Sequence, residues 1–195
     1  MLKAGVTGGI GSGKTLVCSI LEKLGIPVYY ADTEARRLMN QQEELRLQIT
    51  DLLGKEAYSG GELNRQYVAS RVFGKPVELE ALNALVHPAV HEDFHRWAQE
   101  QKDAPCVVEE AALLFESGGH KMLDMTVLVL APTELRIERV MKRDGLEREA
   151  VELRIQHQMD EDAKKKLASS IIYNDDSGLL LPRVVHLHQQ MINSV

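Results

Sequence analysis

One octapeptide near the start of the chain restricts its possible folds more than any other feature. Gly8-Gly9-Ile10-Gly11-Ser12-Gly13-Lys14-Thr15 fits G-x-x-x-x-G-K-[ST] at every specified position. The spacing has a physical basis. Glycines let the backbone turn tightly, so that successive N–H groups converge on phosphate oxygens. A helix starting at the end of the run adds the positive end of its dipole. Lys14 then reaches the terminal phosphates of a nucleotide, and the Thr15 hydroxyl is placed to hold Mg²⁺. The expected ATP-binding run is Gly9, Ile10, Gly11, Ser12, Gly13, Lys14, Thr15 and Leu16. Its context agrees: the apolar segment Leu2–Val6 precedes it, and an amphipathic pattern, Leu16–Leu24, follows and stops at Gly25.

Such a loop joins a buried parallel strand to a helix, and the rest of the chain supplies the partners. Pro27–Tyr30, Cys106–Val108, Met125–Leu130 and Ile171–Tyr173 are short apolar runs suited to parallel strands buried on both faces. Helical patterns separate the later ones, at Thr133–Arg143 and Glu147–Met159. Strands alternating with helices predict an α/β fold, a doubly wound parallel sheet of P-loop type, with ligands outside the carboxyl ends of the strands. From Asp32 to Lys102 the rhythm changes to amphipathic helical segments (Glu43–Leu53, Glu62–Phe73, Glu78–Glu100), with Thr33 as the expected cap of the first helix. The reading is a single P-loop domain over residues 1–195, with a helical insertion at about 33–102 where this architecture usually places a second-substrate site.

Composition narrows the class. The chain is 44% hydrophobic, enough for a real core, and its formal charge is −6, which argues against a nucleic-acid coat. An acidic protein still holds phosphate where a few cations are focused in a cleft. Cys18 and Cys106 have no metal or disulfide spacing and read as buried thiols. No run approaches the ~20 apolar residues of a membrane helix, and no secretory leader is evident. A cytoplasmic protein, monomeric or a small homo-oligomer, is expected. An N-K-x-D guanine motif is missing, which disfavours a GTPase. Ser59-Gly60-Gly61-Glu62 is close to a transporter-ATPase signature, but a turn before a capped helix explains it.

Further segments identify a family. After Thr7–Thr15 come Gly25-Ile26-Pro27-Val28-Tyr29-Tyr30-Ala31-Asp32, Gly61-Glu62-Leu63-Asn64-Arg65, and Leu82-Asn83-Ala84-Leu85-Val86-His87-Pro88. They are followed by Ala112-Leu113-Leu114-Phe115-Glu116, by Arg139, Arg143-Asp144 and Arg148, by Arg154-Ile155 with Gln158, and by Ala168 through Asn174. In that order, over nearly the whole chain, these segments resemble the dephospho-CoA kinases, the last enzymes of coenzyme A synthesis. Three positions depart from the family pattern. Tyr30 replaces the first Asp of D-A-D, Ala112 replaces the Pro of P-L-L-F-E, and the Asp near Ser169 is missing.

The resemblance implies transfer of the ATP γ-phosphoryl group to the 3′-hydroxyl of the dephospho-CoA ribose, with Mg²⁺ as cofactor. Lys14, Asp32 and Arg143 are the expected catalytic residues; helix capping is the structural alternative for Asp32. Arg139 and Arg143, at i and i+4, are expected to grip ATP from a lid at about 139–160, unless they form only a solvated charged face. Asp32, Arg65 and His87 are the acceptor-side candidates, with His87-Pro88 read as a pair that interrupts a helix. Thr15 is the expected Mg²⁺ ligand, and Glu110 supports the ion through water. His186 and His188 have no third ligand near them in sequence and read as packing or surface residues. A nucleoside or nucleotide kinase, or a nucleotide-dependent switch, shares the loop and remains open at this point.

Overall fold

The computed structural model describes residues 1–194. The chain opens with β1 (Leu2–Thr7), α1 (Lys14–Lys23), β2 (Val28–Tyr30), α2 (Ala31–Gln41) and α3 (Glu43–Leu53). There follow β3 (Tyr58–Ser59), β4 (Glu62–Leu63), α4 (Arg65–Val72), α5 (Pro76–Glu100), β5 (Cys106–Glu110) and β6 (Met125–Leu130). The last elements are α6 (Thr133–Asp144), α7 (Arg148–Gln156), α8 (Glu161–Leu167), β7 (Ser170–Tyr173) and α9 (Leu180–Asn193). They divide into two compact units, residues 1–30 with the chain from Gln101 onward, and Ala31–Glu100. No described helix is long and apolar enough to cross a membrane.

The first unit is built on a parallel sheet in the order β2-β5-β1-β6-β7. β1 lies in the centre because its neighbours satisfy it on both edges: Ala4 is in register with Val108 of β5 and with Met125 of β6. Strand parity assigns the faces. Ala4, Val6, Cys106, Val108, Val127 and Val129 pack with Val17, Leu21, Val184 and Leu187 of α1 and α9 into one core, and both cysteines are buried free thiols. The opposite face carries Leu128 and Leu130 against Phe115. Gly5 lies on that face, where an added Cβ would come within 2.5 Å of Leu123 and 2.6 Å of Leu114.

The second unit is helical, and three local expectations change in it. Thr33 does not cap α2, which begins at Ala31 directly from the end of β2, so Asp32 and Glu34 supply the negative charge of its first turn. The segment from Glu62 to Phe73 is not one helix. Gly60 (φ 61°) and Gly61 (φ 88°) form a two-residue turn between β3 and β4, of the kind that needs two positive φ angles. Asn64 then caps α4 by accepting the Tyr67 N–H at 3.1 Å. Nor does His87-Pro88 interrupt a helix: Pro88 lies inside α5, which runs unbroken for 25 residues. Proline in a helix interior costs ~3 kcal/mol. Against it, Leu82, Val86, Val90 and Phe94 recur every four residues as one buried row. At roughly 1.5–3 kcal/mol for each buried side chain, the row outweighs the proline.

Candidate active site

The phosphate loop is shaped by side chains that come from distant parts of the first unit. Gly11 (φ 79°) and Gly13 (φ 92°) adopt backbone angles that favour glycine, and neither has room for a side chain. A Cβ at Gly11 would lie 2.4 Å from the Arg136 carbonyl oxygen, and one at Gly13 would lie 2.2 Å from Asn174 Nδ2. Inside the loop the Ser12 N–H donates to the Gly9 carbonyl at 3.0 Å. Outside it, Arg136 Nε donates to the Ile10 carbonyl at 2.9 Å and Asn174 Nδ2 donates to the Ser12 carbonyl at 2.8 Å. Two carbonyls are thereby held outward, while the first N–H groups of α1, which have no intrahelical partner, remain at the loop. Gln158 Oε1 accepts the Ile10 N–H at 2.9 Å and so ties the segment after α7 to the loop.

Lys14 opens α1, and its Nζ stands 3.7 Å from Glu110 Oε1 at the end of β5. Glu110 shares its strand face with Val108 and lies in register with Val6, which turns its carboxylate toward α1. Thr15 is exposed in the first turn of α1. A hydroxyl and a carboxylate at neighbouring strand and helix ends are hard oxygen donors, the set that suits Mg²⁺ with retained waters. Tyr30, in place of the family's first carboxylate, is in register with Glu110 and donates its hydroxyl to Glu22 Oε2 at 2.9 Å. Burial and that bond hold the phenol well above its usual range, so it stays neutral.

The three arginines of α6 and α7 do not form one cluster. Arg139 is half-buried and donates to the Asn174 carbonyl at 3.1 Å and to Asp176 Oδ1 at 2.9 Å, at the edge of the loop's own support. Arg143, one turn on, is exposed and makes a bidentate pair with Asp144 at 2.7 and 2.9 Å. Arg148 divides its guanidinium between Glu134 and Glu152. The acceptor-side candidates all belong to the helical unit. Asp32 is exposed inside the first turn of α2, past the N-cap position that a capping role requires. Arg65 is exposed at the first residue of α4. His87 is half-buried on α5 with its ring 6.5 Å from that of His91, and burial lowers the pKa of both imidazoles.

The sequence motifs did not single out Arg136 or Lys164. Asn174 and Gln158 stood in family segments without a role. Arg136 carried no signal, since one Arg in a charged helix looks like surface, yet it is buried here against the loop.

The family model for dephospho-CoA kinase matches residues 2–179. The chain belongs to the dephospho-CoA kinase family. It is 38% identical over 186 residues to the dephospho-CoA kinase of Bacteroides fragilis, across 95% of this chain and 91% of that one. A solved structure from Thermus thermophilus superposes with a TM-score of 0.85 at 38% identity, covering 97% of this chain and 96% of its own. The dephospho-CoA kinase from Campylobacter jejuni gives a TM-score of 0.72 at 25% identity, with 98% of both chains covered. Membership of the dephospho-CoA kinases decides among the nucleotide-binding classes that the loop alone leaves open.

Proposed function

We propose that this chain transfers the γ-phosphoryl group of ATP to the 3′-hydroxyl of the dephospho-CoA ribose, releasing ADP and coenzyme A. The observation that carries the reading is the side-chain-supported phosphate loop with Lys14 at its mouth, in a chain of this family. The ribose oxygen forms the new bond to phosphorus as the bond to the β,γ-bridging oxygen breaks. ADP leaves with those electrons, and the hydroxyl proton passes to the Asp32 carboxylate. Transfer of this kind is largely dissociative, so most of the work is placement and charge stabilisation. Lys14 neutralises the terminal phosphates, and Arg139 and Arg143 act from the lid on charge that grows in the transition state. Thr15, with Glu110 through water, would hold a Mg²⁺ ion, whose contribution is to neutralise the phosphate oxygens.

In this reading residues 1–195 form one kinase domain, the insertion at about 33–102 binds the acceptor through Asp32, Arg65 and His87, and the stretch at about 139–160 is the lid. The enzyme works in the cytoplasm, on its own or as a small homo-oligomer. The test is mass spectrometry of dephospho-CoA incubated with the protein, ATP and Mg²⁺. Gain of one phosphate on the ribose is expected. Steady ATP hydrolysis with unmodified dephospho-CoA would overturn the reading.

A further inference from the structure

A cavity of about 390 Å³ lies beside the phosphate loop, bounded by Gly9, by Leu128 and Leu130 of β6, and by side chains of α6, the end of α7, the segment after it, and α8. Lys14 and Thr15 do not line it. Two cations do, and both are nearly removed from solvent: Arg136 is 6% exposed and Lys164 2%. Lys164 Nζ lies 2.9 Å from Glu116 Oε1, so its charge is matched. Arg136 is placed differently. Its Nε is taken by the Ile10 carbonyl, and the nearest acid, Glu161 Oε1, stands 3.6 Å from Nη1, beyond hydrogen-bonding range. Glu161 is itself 42% exposed at the side chain and so compensates the charge weakly. Burial disfavours the charged guanidinium, yet arginine does not lose its proton in proteins. A buried cation with a free fork beside an open cavity is costly unless an anion completes it, and the guanidinium fork matches phosphate geometry.

We propose that this cavity is a second oxyanion site, in which Arg136 binds a phosphoryl group of one of the two substrates beside the phosphate loop. Only the choice of substrate rests on the kinase reading. The terminal phosphate of ATP and the diphosphate of dephospho-CoA offer the same chemistry. Leu128 and Leu130 give the cavity an apolar wall, and Glu161 lines it from the first residue of α8. Two substitutions at the cavity lining tune the site without replacing Arg136. Glu161→Gln removes the competing carboxylate, and Gln156→Glu adds one at the rim.

The experiment is calorimetry on the full chain in three arms. They are inorganic phosphate with the loop saturated by ADP and Mg²⁺, a non-hydrolysable ATP analogue with Mg²⁺ alone, and dephospho-CoA alone. Phosphate affinity is expected to rise about 2–5-fold in Glu161→Gln and to fall by a similar factor in Gln156→Glu, the span of one exposed charge interaction. Arg136→Lys, which keeps the charge and loses the fork, weakens it as well. The substrate whose affinity moves in parallel is the source of the phosphoryl group. Movement of phosphate with neither substrate removes the assignment to a substrate. Loss of dephospho-CoA phosphorylation by every form, with phosphate still responding, removes the kinase reading and keeps the site. Equal phosphate affinity in wild type, Glu161→Gln and Gln156→Glu, with unchanged melts, overturns the site and leaves Arg136 as a strut for Ile10.

Discussion

A ribose hydroxyl is a poor nucleophile near neutral pH and gains from a carboxylate within hydrogen-bond reach. Asp32 is the surviving carboxylate of the D-A-D signature, and neutral Tyr30, bound to Glu22, does not replace the lost one. Asp32→Asn is expected to keep ATP affinity by calorimetry while steady-state phosphorylation of dephospho-CoA falls roughly 10²–10⁴-fold. Unchanged turnover would take Asp32 out of the mechanism. Lys14 lies at the loop beside Glu110 and outside the core, so Lys14→Ala should abolish nearly all transfer and leave the ligand-free thermal melt close to wild type. Arg143 is a third case, because its partner Asp144 is adjacent in sequence and the pair is exposed. An exposed pair adds little stability. Arg143→Ala therefore lowers kcat more than it raises the KM for dephospho-CoA, and a loss confined to the melting temperature would assign it to the surface.

Elements explain where the patterns misled. The sequence around Pro88 argues for a break in α5, and the structure carries the helix through because the row Leu82, Val86, Val90, Phe94 must be buried as one surface. Pro88 itself is exposed, so its cost is local: a missing N–H for the Ala84 carbonyl and crowding of that turn. Pro88→Ala is expected to stabilise the protein by about 1–3 kcal/mol in urea denaturation, less the fraction that proline returns by restricting the unfolded chain. Destabilisation would show that Pro88 gains more by restricting the unfolded chain than it costs in the helix. The turn before α4 teaches the converse lesson. Gly60-Gly61 sat in plain view as a hairpin signal, but with flanking strands of two residues each there was no alternating pattern to announce it.

At the scale of the whole molecule, stability depends on a group that the proposed chemistry does not use. Glu109 points to the face of the sheet opposite Glu110, is 2% exposed, and its Oε2 has no hydrogen-bond partner among the described residues. Burial pushes its carboxyl from an ordinary 4.5 up to about 7. Between those values the folded protein holds a proton that the unfolded chain has released, so stability falls as pH rises from about 4.5 through about 7. The shift corresponds to roughly 3 kcal/mol lost above that window. Glu109→Gln should therefore raise the melting temperature of the metal- and nucleotide-free protein at pH 8, and narrow the difference between pH 8 and pH 5.5. Parallel melting curves for the two proteins across that range would show that Glu109 is solvated.

Some of this was legible in the order of residues because it is local. The loop from Gly8 to Thr15 requires its glycines, its lysine and the strand and helix on either side, and all of these lie within some twenty residues. The apolar runs of β5 and β6 announced themselves as buried parallel strands because both of their faces are covered. What tertiary structure decided is non-local. Arg136, Gln158 and Asn174 reach the loop across 126, 148 and 162 residues of chain. No periodicity in a single sequence marks such a contact. Whether an arginine is solvated or buried beneath a glycine turn depends on which helices pack around it, and burial is what changes a surface charge into a ligand-seeking one.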